Sequence, residues 1–298
     1  MAETKLGKDA ITLPVGTEAE RPSNPVDGMI RFNADGTYIE WYDGFSQIWR
    51  PISEAGNIIA TGGTETDIIQ NGQEYRIHTF TSSGTLNVTR GGDVEFLLVA
   101  GGGGGGDGAG SLRGGGGGGG GGVVISSLTI NSGDNNIVVG AGGPRNTNGN
   151  DSQLGGQATS VGGGTQREDG GSGGGARDSA GNVSGGSGIP GQGNDGGTSF
   201  GSGSNGGSGS GGGGAGSPGN DASGDDNGVI DGGDGILSNF DGNSVNYSSG
   251  GTGGARGGGG SSGPAGEANS GDGGAAGNGS GGNGTAGGSG IVIIRYKI

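Results

Sequence analysis

The only histidine of this chain, His78, stands between Ile77 and Thr79 in a β-prone run, without a second histidine, any cysteine or an acid at motif spacing. A general base or a metal ligand needs such partners, so His78 reads as an isolated strand residue. Carboxylates are densest at Asp225-Asp226-Asn227-Gly228, with Asp231 and Asp234 close behind. Hard cations such as Ca²⁺ take several carboxylate and carbonyl oxygens, but neither the EF-hand register nor a nonapeptide repeat is present. Two readings stay open for this cluster: solvated turn residues, or a weak Ca²⁺ site. The glycine runs Gly101–Gly106 and Gly114–Gly122 could cradle phosphates, yet no GxxxxGK[ST] occurs, nor a GxGxxG between a strand and a helix. Aromatic rings are the remaining candidates. Phe200, Phe240 and Tyr247 are the only aromatics between Gly101 and Gly290. Rings carried on loops of a rigid scaffold serve recognition, which makes these three candidate receptor contacts; the alternative is that they act as spacers packed between glycine-rich segments. No nucleophile is paired with a base, so the chain reads as a binding or structural protein, not an enzyme, with no cofactor.

The elements that would carry these residues are unusual. Glycine supplies 90 of the 298 residues, and 78 of them follow Val99. Only 26% of the chain is apolar, against roughly 45–50% for globular domains by a count that includes glycine. Nine of the thirteen aromatics precede Ala100, so conventional burial is concentrated in the first third and in whatever returns to it. The net charge of −15 is spread evenly along the chain without a Lys/Arg cluster, which argues against a nucleic-acid partner. No window approaches 18 apolar residues and the N-terminus lacks signal-peptide grammar, so the expectation is a soluble product of the cytoplasm without membrane insertion.

Residues 1–56 read as an extended Pro-containing arm followed by a β-meander. Met29–Asn33, Thr37–Tyr42 and Phe45–Ile52 are short β-prone runs divided by Ala34-Asp35-Gly36 and Asp43-Gly44, a hairpin signature. Phe32, Tyr38, Trp41, Tyr42 and Trp49 load both faces of that meander. So few residues cannot enclose so much aromatic surface, which predicts packing against copies of itself or another subunit. Residues 57–298 form the second region. Its β-sandwich-like module, 73–139 plus 290–298, contains Tyr75–Thr81, Thr85–Thr89, Val94–Ala100, Val123–Ile130, Asn136–Val139 and the closing run Gly290–Ile298. An exposed terminal IVII strand would aggregate, so it is expected to return and pair beside VEFLLVA or VVISSLTI.

Between 140 and 289, with the glycine runs of 101–122, no helical or strand periodicity exists. Composition alone suggests a flexible linker. Against that, Ile189, Phe200, Val229, Ile230, Ile236, Leu237 and Phe240 punctuate the segment, and only one strand follows it. An ordered alternative is a lobe of polyglycine-II helices, with three residues per turn and backbone groups paired between neighbours. The fold class expected is therefore all-β with an irregular glycine-rich region, in which a polyglycine-II helix bundle is inserted before a returning C-terminal strand.

Four stretches support two family resemblances. LPVGTEAERPSNPVDGMIRFNADGTYIEWYDGFSQIWRPI, Leu13 to Ile52, resembles a short module found near the N-termini of tailed-bacteriophage fibre and structural proteins. FTSSGTLNV…VEFLLVAGGGGGG…LTINSGDNNIVVGAGG (Phe80–Gly143), GDGILSNFDGNSVNYSSGGTGG (Gly233–Gly254) and GGSGIVIIRY (Gly287–Tyr296) look like the glycine-rich domain of phage virion proteins. The resemblance implies a fibre or adhesin of the virion, assembled in the host cytoplasm and exposed on the particle. It would be attached through its N-terminal module to other virion structural proteins, homo-oligomeric with a trimer as the expected state, and would display its lobe to a host-cell receptor. Two other roles fit the same residues: a head or neck decoration protein, and an ice- or particle-binding glycine-helix protein. The latter lacks a regular Gly-X-X repeat.

Overall fold

The computed structural model describes residues 12–36, 38–45, 47–51, 58–201, 205–223 and 228–298. The chain divides into two compact units, Met1–Asn57 and Ile58–Ile298. The first holds a four-stranded sheet of β1 (Val15–Gly16), β2 (Ile30–Asn33), β3 (Tyr38–Asp43) and β4 (Ile48–Pro51), in that order. The meander expected from the Asp-Gly spacing is present. The arm is more than an extended lead-in: β1 pairs in parallel with β2, Val15 opposite Phe32, and a 3₁₀ turn follows at Glu18–Glu20. Phe45 belongs to a turn and not to β4, and its ring is fully exposed.

In the second unit, β5 (Ile59–Thr61), β6 (Thr64–Gln70), β7 (Gln73–Phe80), β8 (Gly84–Arg90) and β9 (Gly92–Val99) precede the first glycine runs, and β10 (Val123–Ile130) and β11 (Gly133–Val138) follow them. Then come β12 (Ser152–Leu154), β13 (Ala158–Ser160), β14 (Ile236–Ser238), β15 (Val245–Tyr247) and β16 (Ile291–Lys297). They build two five-stranded sheets, β10-β9-β16-β7-β6 and β13-β12-β11-β8-β5, and a separate β14-β15 ribbon. The inner faces of the two large sheets meet in a core that includes Leu86, Val88, Phe96, Leu98, Ile137, Val292 and Ile294. As the apolar run IVII requires, β16 lies at the sheet centre, antiparallel to both β9 and β7. Strands β5 and β6 were not apparent in sequence, and the sandwich begins at Ile58, well before Tyr75.

The glycine segments are organised by their backbones. From Gly101 to Gly106, successive N–H groups donate to the carbonyls of Asn150, Gly288, Gly119, Thr147, Thr285 and Gly116, so residues three apart address the same neighbour. The returning run repeats the rule. Gly114, Gly117 and Gly120 donate to Gly207, Ser210 and Gly213; Gly115, Gly118 and Gly121 donate to Gly277, Gly274 and Gly271. Its carbonyls accept from other segments: Gly117 from Gly175, Gly118 from Gly251, Gly119 from Gly103 and Gly120 from Ser172. The run is thus surrounded by backbone on every side, which meets the requirement that buried N–H and C=O groups be paired. A Cβ on Gly118 would stand 2.1 Å from the Gly103 carbonyl oxygen and one on Gly117 2.0 Å from that of Gly251, so only glycine fits. Among the described residues the chain is all-β with irregular glycine-rich segments and no α-helix, and the polyglycine-II bundle expected from the sequence is not among its assigned elements.

Candidate functional site

The first unit is built inside out. On one face of its sheet Arg31, Asn33 and Glu40 are buried, while the opposite face carries Val15, Ile30, Phe32, Ile39, Trp41 and Ile48 with none of them buried. The 3₁₀ turn brings Arg21 over the polar face. Its guanidinium donates to Glu40 Oε2 at 2.7 Å and Oε1 at 3.2 Å, Asn33 Nδ2 donates to Oε2, and Arg31 Nε lies 3.5 Å from Oε1. The Arg21 hydrogen bonds hold the Glu40 carboxyl below its ordinary 4.5 against the opposing effect of burial, with Asn33 and Arg31 helping. Arg31 also donates to the Thr17 carbonyl, and its guanidinium sits 5.8 Å from the centre of the Trp49 ring. Of the attachment candidates, Phe32 and Trp41 share the apolar face, whereas Tyr38, Tyr42 and Trp49 share the polar one; all five are half-buried. A cleft of about 120 Å³ between the arm and Trp49 is too small for a typical ligand pocket of roughly 300 Å³ or more. What this unit offers besides the cleft is an apolar sheet face that is exposed or half-buried.

The three lobe aromatics are separated by the structure. Phe200 is 42% exposed, at the end of the lobe remote from the sandwich, where Leu112 (37%) and Val229 (44%) are also exposed. These positions are linked: Ser199 Oγ donates to the Ser208 carbonyl, Ser208 Oγ to that of Gly228, and Gly114 N–H to that of Gly207. Phe240 and Tyr247, proposed from sequence as exposed receptor contacts, are instead 7% and 2% exposed. The β14-β15 ribbon folds back so that both rings pack on Ile77, Leu97, Val99 and Ile293, the outer face of the β9/β16 sheet. Burial pushes the Tyr247 phenol up to about 12, so it stays neutral. Arg295 fastens this ribbon: Nη1 donates to the Phe240 carbonyl and to Gln70 Oε1, Nε to Glu95, and the guanidinium lies 4.2 Å from the Phe240 ring centre and 4.7 Å from that of Tyr75. The signal missed in sequence was Asp241-Gly242 between ILS and VNY, a hairpin mark like those used for the meander; Gly242 has φ +90°.

His78 is a satisfied core residue. Its Nδ1 donates to the Gly62 carbonyl at 2.8 Å and its Nε2 accepts from the Tyr296 hydroxyl at 3.1 Å, which ties β7 and β16 to the glycine link after β5. Asp225 and Asp226 lie outside the described residues. Asp231 and Asp234 are exposed, and their backbones take part in the lobe pairing, with the Asp234 carbonyl accepting from Gly216. Among the described residues, no three His, Cys, Asp or Glu side chains come together as a metal site, and no helix is long and apolar enough to cross a membrane. A family model described as a glycine-rich domain matches residues 79–297. No curated protein matches the chain.

Proposed function

The chain belongs to the glycine-rich domain family, and we propose that it serves as a structural virion protein, a fibre or adhesin held by its first unit and presenting the glycine-rich lobe to a host surface. The observation that carries this reading is the contrast between the rigidly paired interior of the lobe and the exposed Leu112, Phe200 and Val229 at its outer end. Loops on a backbone-locked scaffold suit recognition because little freedom is lost on binding. The open apolar face of the first unit suits attachment to other virion proteins or to further copies of the chain. Several weak contacts held together then add up to useful avidity. We further read the lobe segments as polyglycine-II helices, a conformation whose three-residue turn matches the three-residue recurrence of the hydrogen bonds.

Adsorption of the purified full chain to a panel of bacterial strains tests the role. Saturable binding to particular strains is expected, with Phe200→Ala weakening it about tenfold while leaving thermal melting unchanged. Absence of saturable binding to any strain would remove the adhesin role and leave decoration of the particle.

A further inference from the structure

The two large sheets of the second unit have four edge strands, and three of them are protected in the ways that prevent unwanted pairing. β5 is three residues long and bulged between Ile59 and Ala60; β13 is also three residues long; β6 carries Glu65 and Asp67, the latter paired with Arg76. The fourth, β10, has none of these devices. It runs for eight residues, Val-Val-Ile-Ser-Ser-Leu-Thr-Ile, without a charge, a proline or a register shift against β9. Its middle is open, with Ser126, Ser127 and Thr129 exposed and Ile125 49% exposed.

The direction of its free groups can be read. Val123 N–H leaves the sheet to meet the Gln192 carbonyl, and strand alternation then turns the N–H and C=O of Ile125, Ser127 and Thr129 outward as well. Among the described residues, none of these three donates a main-chain hydrogen bond across that edge.

We propose that β10 is a pairing edge whose occupant is β10 of a second copy, joined antiparallel about a two-fold axis at Ser127. In that register Ser127 faces Ser127, Ile125 faces Thr129 and Val124 faces Ile130, each on the same side of the extended sheet, with about six new main-chain hydrogen bonds. The choice of a second copy rests on charge. With a net charge of −15, most surfaces of this protein repel their own copies, whereas the β10 register sets no acid against an acid. A strand pair of this length buries less than the ~1,200 Å² of a stable interface, so the contact forms at the high local concentration of an assembly and strengthens with salt as the remaining repulsion is screened. It is separate from any association through the first unit, and it holds whether or not the adhesin role does.

The chain has no cysteine, so a single introduced thiol reports on one contact. Paired Ser127 Cα atoms would stand about 5.5 Å apart, within the range of about 4.4–6.8 Å that a disulfide spans. Mild oxidation of full-length Ser127→Cys is expected to give a covalent dimer, with Thr66→Cys on the opposite edge strand as the comparison. In sedimentation velocity, cysteine-free chain should shift toward dimer as protein and salt concentrations rise. Ile125→Lys should move that shift at least tenfold higher in concentration, and Ser127→Pro, which removes one outward donor, should act likewise. Circular dichroism checks that both variants keep their strands. A chain that stays monomeric with Ser127→Cys no more reactive than Thr66→Cys, or a dimer indifferent to Ile125→Lys and Ser127→Pro, overturns the pairing.

Discussion

The sandwich and the glycine lobe lie in one unit and bury their interiors by opposite means. Between the sheets, Leu98, Val292 and Ile294 are fully buried and the stabilising term is apolar surface removed from water. Around Gly114–Gly122 there is almost no side chain to bury, and the residues instead give and receive hydrogen bonds with separate neighbours, nearly all of them backbone; exceptions include Gly116 N–H, which donates to Gln166 Oε1, and the Gly121 carbonyl, which accepts from the Ser248 hydroxyl. A net hydrogen bond contributes only about 1 kcal/mol, and glycine loses more freedom on folding than other residues. Such a lobe therefore depends on completeness: its bonds must nearly all form together. The comparison teaches that a segment too poor in apolar side chains to build a hydrophobic core can still have a folded interior.

The largest expected effect tests that difference directly. Gly118→Ala adds one methyl group, which a hydrophobic interior would accommodate at a cost of about 1–3 kcal/mol; here the methyl meets the Gly103 carbonyl, and a loss of ~4 kcal/mol or more is expected. Gly259→Ala, where a Cβ would meet nothing within 4 Å, should stay within about 0.5 kcal/mol. Denaturant unfolding of the two variants decides; equal effects would break the contrast. Next in size, Leu98→Ala in the sandwich should cost about 3 kcal/mol, the cavity cost of an ordinary core. Amide exchange should then show protection lost in β8, β9 and β16. The smallest effect concerns the first unit, which buries ions in place of either. Because the folded Glu40 has a lowered pKa, its contribution is complete above the ordinary 4.5 and drains away as pH falls from there through the depressed folded value. Both tryptophans, Trp41 and Trp49, belong to this unit, so their fluorescence should report an acid transition there before any change in the sandwich.

Runs of apolar residues made much of the sandwich legible. β9 and β16 follow from VEFLLVA and IVII because strands at a sheet centre, buried on both faces, need such runs, whereas the edge strand β10 follows from the β-branched residues of VVISSLTI. β6 did not, since TETDIIQ is polar, as a protected edge must be. Its hairpin mark was nevertheless available: Asn71 and Gly72 both have positive φ, 53° and 79°, as a two-residue type I′ turn demands. For Phe240 and Tyr247 the sequence leaves exposed contact and packed spacer both open, for a physical reason. Rings in a glycine-rich context resemble exposed anchors when the partner that buries them, the outer face of a distant sheet, is not adjacent in sequence. The inverted first unit was half visible: aromatic residues on both faces signalled excess apolar surface, but the closure of the arm over Glu40 needs Arg21, nineteen residues away.

The central place of β16 also governs how the protein comes into being. Arg295 meets Glu95 across a separation of 200 residues, and until β16 has been made the sheet has a gap between β9 and β7. A nascent chain emerging in order therefore holds an unfinished sheet, with the apolar edge of β9 uncovered, throughout synthesis of the lobe. Contacts this distant form slowly. An interrupted or clipped chain lacks the strand that closes the sheet, and its open edge would mark it for removal by proteases.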